Sequence, residues 1–185
     1  MTSSTTGSSR SGVLLCVLAN PPTTSGIRTM SRVNLACALL RYDQVRVENL
    51  FAMPSHSAND ISLLGRSEAG WLEARAGLAQ AVAQSTGVLL AYGMAEPSGL
   101  ARVHHRDQVA WLWQAIANEA LPVFQMGDGP RHPSRWHRWT SRFHVGLPFA
   151  EGVRNSLLEV ERPALGPIRA TGAIGSPASC RSREC

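Results

Sequence analysis

The chain has 185 residues, a length that suits one compact domain with a core large enough to fold without disulfide bonds. Apolar residues make up 44% of the sequence and charged residues 17%, which excludes a fully disordered or a fibrous protein. The formal net charge is +5 and all 18 basic residues are arginines, so a lysine Schiff base and a lysine-containing P-loop are excluded.

The middle of the chain, residues 12–160, is predicted to form a single domain in which strands and helices alternate. Short apolar runs predict four strands, at residues 13–19, 45–52, 87–92 and 121–126. Apolar residues at helical spacing predict three helices, at residues 28–41, 70–85 and 101–120, and a fourth that begins near Pro133. This alternation predicts an α/β fold of three layers, with a four-stranded, mostly parallel sheet and helices on both faces.

The two ends of the chain have a different composition from the middle. Residues 1–11 are almost all Ser, Thr and Gly, and residues 161–185 are rich in Pro, Gly, Ser and Ala, so both predict disordered tails. The longest apolar run, residues 13–19, is far shorter than the roughly 20 residues that span a bilayer. No CxxC pair is present among the four cysteines. We therefore expect a cytoplasmic protein with no membrane span, no metal and no cofactor.

Polar and glycine residues follow the predicted strands, where a parallel sheet binds its ligands. Asn20 follows the first strand and precedes two prolines, so its amide is held at the strand tip, able to donate and to accept. Asn49 is an amide in an otherwise apolar strand, suited to paired hydrogen bonds with a planar ligand. Gly93 ends the third strand and lets a ligand approach the backbone. The structural alternatives are a capped turn, a core amide and a positive φ, respectively.

An arginine-rich segment follows the fourth strand. Residues 129–150 contain four arginines and no acidic residue, so they hold +4 of the net charge. The four arginines share one helix face and predict contact with phosphate: Arg131, Arg135, Arg138 and Arg142. The adjacent face carries three aromatic residues suited to stacking on unpaired bases: Trp136, Trp139 and Phe143. The alternative is that the aromatic stripe packs on the sheet while the arginines face water.

His132 precedes this helix, where its imidazole can donate a hydrogen bond to a ligand oxygen.

Three motifs of the chain resemble domain-of-unknown-function family 1643: Ala19-Asn20-Pro21, Asn49-Leu50-Phe51-Ala52 and Pro130-Arg131-His132-Pro133. They occur in the family's order, and the resemblance spans about residues 13–142. The acidic residue that usually follows the first motif is missing, and residues 29–32 keep only part of the family's Thr-x-Arg-Arg stretch.

The same layout is distantly similar to the uracil-DNA glycosylase superfamily, whose members carry an Asn-Pro first motif, a strand asparagine and a His-Pro-Ser loop. This resemblance implies a uracil-DNA-glycosylase-like fold and base-excision chemistry. It implies that Asn20 orients the attacking water, that Asn49 reads the flipped base and that His132 stabilises charge on the base carbonyl. Ser134 completes the His-Pro-Ser loop.

We therefore expect a protein that binds nucleic acid or a nucleotide at the carboxyl ends of the strands. The expected catalytic residues are Asn20 and His132. The expected base- or ligand-reading residues are Asn49, Ser134 and Gly93. The expected phosphate- or nucleic-acid-binding residues are Arg131, Arg135, Arg138 and Trp136. The alternatives are a non-catalytic module for single-stranded nucleic acid and a small-molecule enzyme that acts on a nucleoside or phosphorylated metabolite. The catalytic hypothesis requires Asn20, Asn49 and His132 to meet in one pocket.

Overall fold

A five-stranded sheet forms the centre of the protein in a computed structural model, which describes residues 12–55 and 58–161. The strands are β1 (Val13–Leu18), β2 (Gln44–Asn49), β3 (Gly87–Leu90), β4 (Val123–Met126) and β5 (Leu157–Val160). Their order is β2-β1-β3-β4-β5; the first four are parallel, and β5 is antiparallel to β4. The α/β class and the mostly parallel sheet are confirmed, whereas the prediction of four strands is wrong because it omitted β5. Apart from Glu161, the predicted tails lie outside the described residues.

Six helices and one 3-10 turn surround the sheet in the described part of the chain. The helices are α1 (Ile27–Leu39), α2 (Ala58–Leu64), α3 (Ala69–Ala83), α4 (Leu100–Asn118), α5 (Trp136–Phe143) and α6 (Phe149–Ser156). The 3-10 turn, Pro133–Arg135, leads directly into α5, as the prediction of a helical start near Pro133 requires. Within residues 12–55 and 58–161, none of these helices has both the length and the apolar content needed to cross a bilayer.

The core consists of two apolar clusters, one on each face of the sheet. Leu15 and Val17 of β1 face the first cluster, which includes residues of α3 and α4. Leu14, Cys16 and Leu18 face the second cluster, which includes residues of α1, α5 and α6. Because β1 is buried on both faces, its sequence is a continuous apolar run rather than an alternating one. Helices therefore cover both faces of the sheet at β1, and a ligand can approach this strand at its ends.

Candidate functional site

An open cleft of about 950 Å³ lies at the carboxyl ends of β1, β3 and β4. Asn20 enters it from the end of β1, Gly93 from the end of β3, and His132 and Ser134 from the segment after β4. Four residues that were predicted from separate parts of the sequence therefore line one cavity. Their meeting follows from the parallel arrangement, which directs the ends of these strands to the same edge of the sheet.

Two hydrogen bonds fix the side-chain amide of Asn20. Its Nδ2 donates to the carbonyl oxygens of Pro21 and Ser55, both at 2.9 Å. The second bond ties the loop after β2 to the tip of β1. Because both amide hydrogens are used, Oδ1 is the atom of Asn20 that remains to accept a hydrogen bond from a ligand or a water in the cleft.

The tautomer of His132 is set by its neighbour in the 3-10 turn. Nδ1 of His132 accepts from the backbone N–H of Ser134 at 3.2 Å and lies 2.9 Å from the Ser134 hydroxyl. Burial lowers the pKa of His132, and the positive charges of Arg135 and Arg32 lower it further. The imidazole is therefore neutral at neutral pH, with Nδ1 as acceptor and its proton on Nε2, where it can donate to a ligand.

Gly93 is required by the backbone at the end of β3. Its φ is +101°, a conformation that L side chains rarely adopt, and its N–H donates to the carbonyl oxygen of Pro130 at 2.5 Å. A Cβ on Gly93 would lie 3.9 Å from Cβ of His132, an ordinary contact. The positive φ favours the structural explanation of this glycine, and its role in ligand reading stays a prediction.

The four predicted arginines all line the cleft, but they differ in charge environment. Nη2 of Arg131 lies 2.6 Å from Oδ1 of Asp128, and its guanidinium stacks 3.9 Å from the centre of the Trp139 ring. The charge of residues 129–150 did not indicate this pairing, because Asp128 lies one residue before that segment. The other three are exposed, and none forms an ion pair within the described part of the chain; we call them the arginine ridge: Arg135, Arg138 and Arg142.

The prediction that Trp136 stacks on bases is wrong. Its side chain is fully buried in the second core cluster, and its Nε1 donates to the carbonyl oxygen of Arg131 at 2.8 Å. The aromatic stripe of α5 instead emerges gradually from the core. Trp139 is half-buried, and Phe143 is 53% exposed and lines the cleft, with its ring centre 4.0 Å from that of Trp139. Trp139 and Phe143 therefore both line the cleft, and Phe143 is the more exposed of the two.

The expected meeting of Asn20, Asn49 and His132 is wrong for Asn49, which is not among the residues that line the cleft. The reason is topological: β2 is an outer strand, and the cleft lies over its inner neighbours. Asn49 is in register with Leu18, so its side chain lies on the face of the second core cluster. There its Oδ1 is buried and has no hydrogen-bond partner among the described residues.

Two polar residues of the cleft were not identified as site residues from the sequence. Asp128 contributes the carboxylate that lines the cleft, in a Gly-Asp-Gly-Pro turn that signals only a tight loop. Tyr92 precedes Gly93, and burial raises the pKa of its phenol to about 12, so the hydroxyl stays protonated. Within residues 12–55 and 58–161, no group of three His, Cys, Asp or Glu side chains is placed to hold a metal ion.

Comparisons with protein-family models, with curated proteins and with solved structures found no match to this chain. The two family resemblances of the sequence therefore stay predictions. The function has to be inferred from the cleft itself.

Proposed function

We propose that the cleft binds a phosphorylated nucleoside, either as a free nucleotide or within a nucleic acid strand. The observation that carries this proposal is the arginine ridge, which lines the same cleft as Asn20 and His132 without acidic partners in the described chain. Like charges three and four residues apart on a helix repel one another, so the ridge is stabilised by an anion. Arginine is suited to phosphate because its guanidinium forms two parallel hydrogen bonds with it.

The length of the ridge favours a ligand with more than one phosphate. Arg135 and Arg142 are seven residues apart, which corresponds to about 10 Å along a helix. The exposed ring of Phe143 lies at the end of this row, with the guanidinium of Arg142 5.4 Å from its centre, and an unpaired base can stack on it when that guanidinium turns to phosphate. These features support a single nucleic acid strand over a mononucleotide, because a strand presents several phosphates and bases in succession.

A second candidate function is cleavage of the bond between base and sugar. One observation favours it: in the same cleft, Nε2–H of His132 can donate a hydrogen bond to a ligand and Oδ1 of Asn20 can accept one. Negative charge develops on the base as this bond breaks, and a preorganised neutral donor stabilises it. A fixed amide oxygen can accept a hydrogen bond from the attacking water. The position of Asn49 gives no support to its role as the base reader.

Binding is tested by fluorescence anisotropy with labelled single-stranded DNA and RNA, and by calorimetry with free nucleotides. Replacing the three ridge arginines by alanine is expected to weaken binding at least about tenfold and to reduce the slope of log K against log salt by about 2. Arg154→Ala is the matched control, because Arg154 is an exposed arginine of α6 that does not line the cleft. Equal affinity of the triple variant and the wild type contradicts the proposal, as does an affinity that is indifferent to salt.

Cleavage is tested separately, by measuring free base released from single- and double-stranded DNA that contains normal bases or uracil. If the protein is a glycosylase, His132→Ala abolishes the release while the variant still binds the strand. Absence of release by the wild-type protein from every substrate supplied rules out this second function and leaves the binding proposal intact.

A further inference from the structure

A second cavity, of about 330 Å³, lies directly beside the cleft. We call it the side groove; its lining is mainly apolar and includes Tyr92, Val109, Ala110 and Pro130, together with the ring of His105 and the ion pair of Glu96 and Arg106. It shares four consecutive residues, 92–95, with the lining of the cleft. Among these, Met94 is exposed and contacts both cavities, so a flexible side chain forms the boundary between them.

His105 is the residue of the side groove that the fold itself does not explain. Its Nδ1 is buried and has no hydrogen-bond partner among the described residues. Its ring lies edge-on to Trp71 at 5.8 Å and to Tyr92 at 6.1 Å. Burial lowers the pKa of His105, with the charge of Arg106 adding to the effect and that of Glu96 opposing it, so the ring is neutral at neutral pH.

Nδ1 is enclosed by protein atoms, and an unpaired buried nitrogen is unfavourable, so packing alone does not account for a histidine at this position. The same ring also lines a smaller pocket of about 20 Å³, which shares Ala19, Ile61, Tyr92 and Ala95 with the cleft. His105 is thus placed between two cavities that both adjoin the arginine-lined cleft. A neutral imidazole can donate at one ring nitrogen and accept at the other.

We propose that the side groove binds the base of the nucleotide whose phosphate lies on the arginine ridge, with the ring of His105 as a wall that contacts the base. This inference rests on the proposed function. Cavities of about 300–1,000 Å³ with mostly apolar linings and a few polar groups are typical of small-molecule sites, and the side groove fits that description. It also supplies a base-reading position that adjoins the cleft lined by Asn20 and His132, whereas Asn49 does not line that cleft.

The test separates the ring from the phosphate. Calorimetry compares the four ribonucleoside 5′-monophosphates with ribose 5-phosphate, which has the phosphate and no base. Ala110→Trp fills the side groove from an exposed position of α4, and His105→Phe keeps an aromatic ring without its nitrogens. Val103→Trp is the matched control, because Val103 is an exposed residue of the same helix outside both cavities.

We expect Ala110→Trp and His105→Phe each to weaken the affinity for the tightest-binding nucleotide by about tenfold. The affinity of both variants for ribose 5-phosphate should stay within about twofold of the wild-type value. Val103→Trp should change neither affinity. Arg138→Ala should weaken both kinds of ligand. If the wild type binds nucleotides and both groove variants bind them equally well, this inference is overturned while the proposed function stands. If a groove variant weakens both ligands to the same extent, the side groove does not read the base. If the wild type binds neither nucleotides, ribose 5-phosphate nor oligonucleotides, the proposed function fails and the inference fails with it.

Discussion

The backbone N–H of Ser134 donates to Nδ1 of His132 at 3.2 Å, so the N-terminal cap of the 3-10 turn depends on an unprotonated Nδ1. A protonated imidazole cannot accept this hydrogen bond. Burial and the nearby charges of Arg135 and Arg32 disfavour the same protonated form. The cap of the turn and the charge state of the cleft are therefore linked to pH through one nitrogen atom.

We expect the free energy of unfolding to decrease as the pH falls below about 6.5, the ordinary pKa of an unfolded histidine. Because the folded-state pKa of His132 is lowered, the unfolded chain binds more protons in this range. The stability of the neutral form is fully present above the unfolded pKa and is lost as the pH falls toward the folded pKa. The measurement is urea denaturation between about pH 5 and pH 8.

His132→Asn is the informative variant, since an asparagine oxygen caps a helical turn without titrating in this range. It should flatten part of the pH profile and keep the stability at neutral pH close to that of the wild type. His105→Phe should remove another part, because the pKa of His105 is lowered as well. A pH profile of His132→Asn that is identical to the wild type would show that the cap does not titrate.

Trp136 and Phe143 lie on one helix but should respond in opposite ways to alanine. Trp136→Ala is expected to cost about 3–5 kcal/mol of stability, because it removes a fully buried indole. Phe143→Ala should cost about 1 kcal/mol or less and weaken single-stranded nucleic acid binding by about 1–3 kcal/mol through lost stacking. Thermal denaturation and anisotropy measure the two effects. A stable, binding-defective Trp136→Ala variant would reverse our assignment.

The predicted strands and helices were those whose apolar pattern is local. The continuous apolar run of β1 and the helical spacing of apolar residues in α4 each indicate burial, and both patterns lie within one short segment of the sequence. In contrast, β5 has four residues, two of them exposed, and exists because it pairs with β4. No local pattern encodes such a pairing, so the fifth strand could not be read from the sequence.

The location of the site was predictable from the sequence, but not its complete membership. The rule that ligands bind beyond the carboxyl ends of parallel strands identified Asn20 and His132. The same rule included Asn49, since the sequence does not reveal that β2 is an outer strand. Helical spacing placed Trp136 beside Phe143, but it could not show that α5 rises out of the core along its length.

Gly93→Ala should lower the stability by about 1–3 kcal/mol, because an alanine is strained at a φ of +101°. The new Cβ would make only an ordinary contact with His132, so the loss comes from the backbone and not from a collision. Gly77→Ala is a control of opposite sign. In the middle of α3 an alanine is expected to stabilise by about 0.5–1 kcal/mol, provided that the Glu48 carboxylate, whose Oε2 would lie 3.1 Å from the new Cβ, shifts slightly while it stays paired with Arg46. Urea denaturation distinguishes the two variants.

Asp128→Asn tests whether the ion pair with Asp128 keeps the guanidinium of Arg131 from contacting phosphate. The pair is largely exposed on the Asp128 side, so its loss should change the stability by about 1 kcal/mol or less. Removing the negative charge should tighten the binding of single-stranded nucleic acid and steepen the slope of log K against log salt by about 0.7, because one more arginine can contact phosphate.

Asp107→Asn is the matched control for this charge effect, because Asp107 is an exposed acid of α4 outside the cleft. Anisotropy titrations at several salt concentrations measure both variants. Weaker binding by Asp128→Asn, with Asp107→Asn unchanged, would contradict a purely electrostatic role. It would instead indicate that the carboxylate of Asp128 contacts the ligand directly or holds Arg131 in the orientation that binds it.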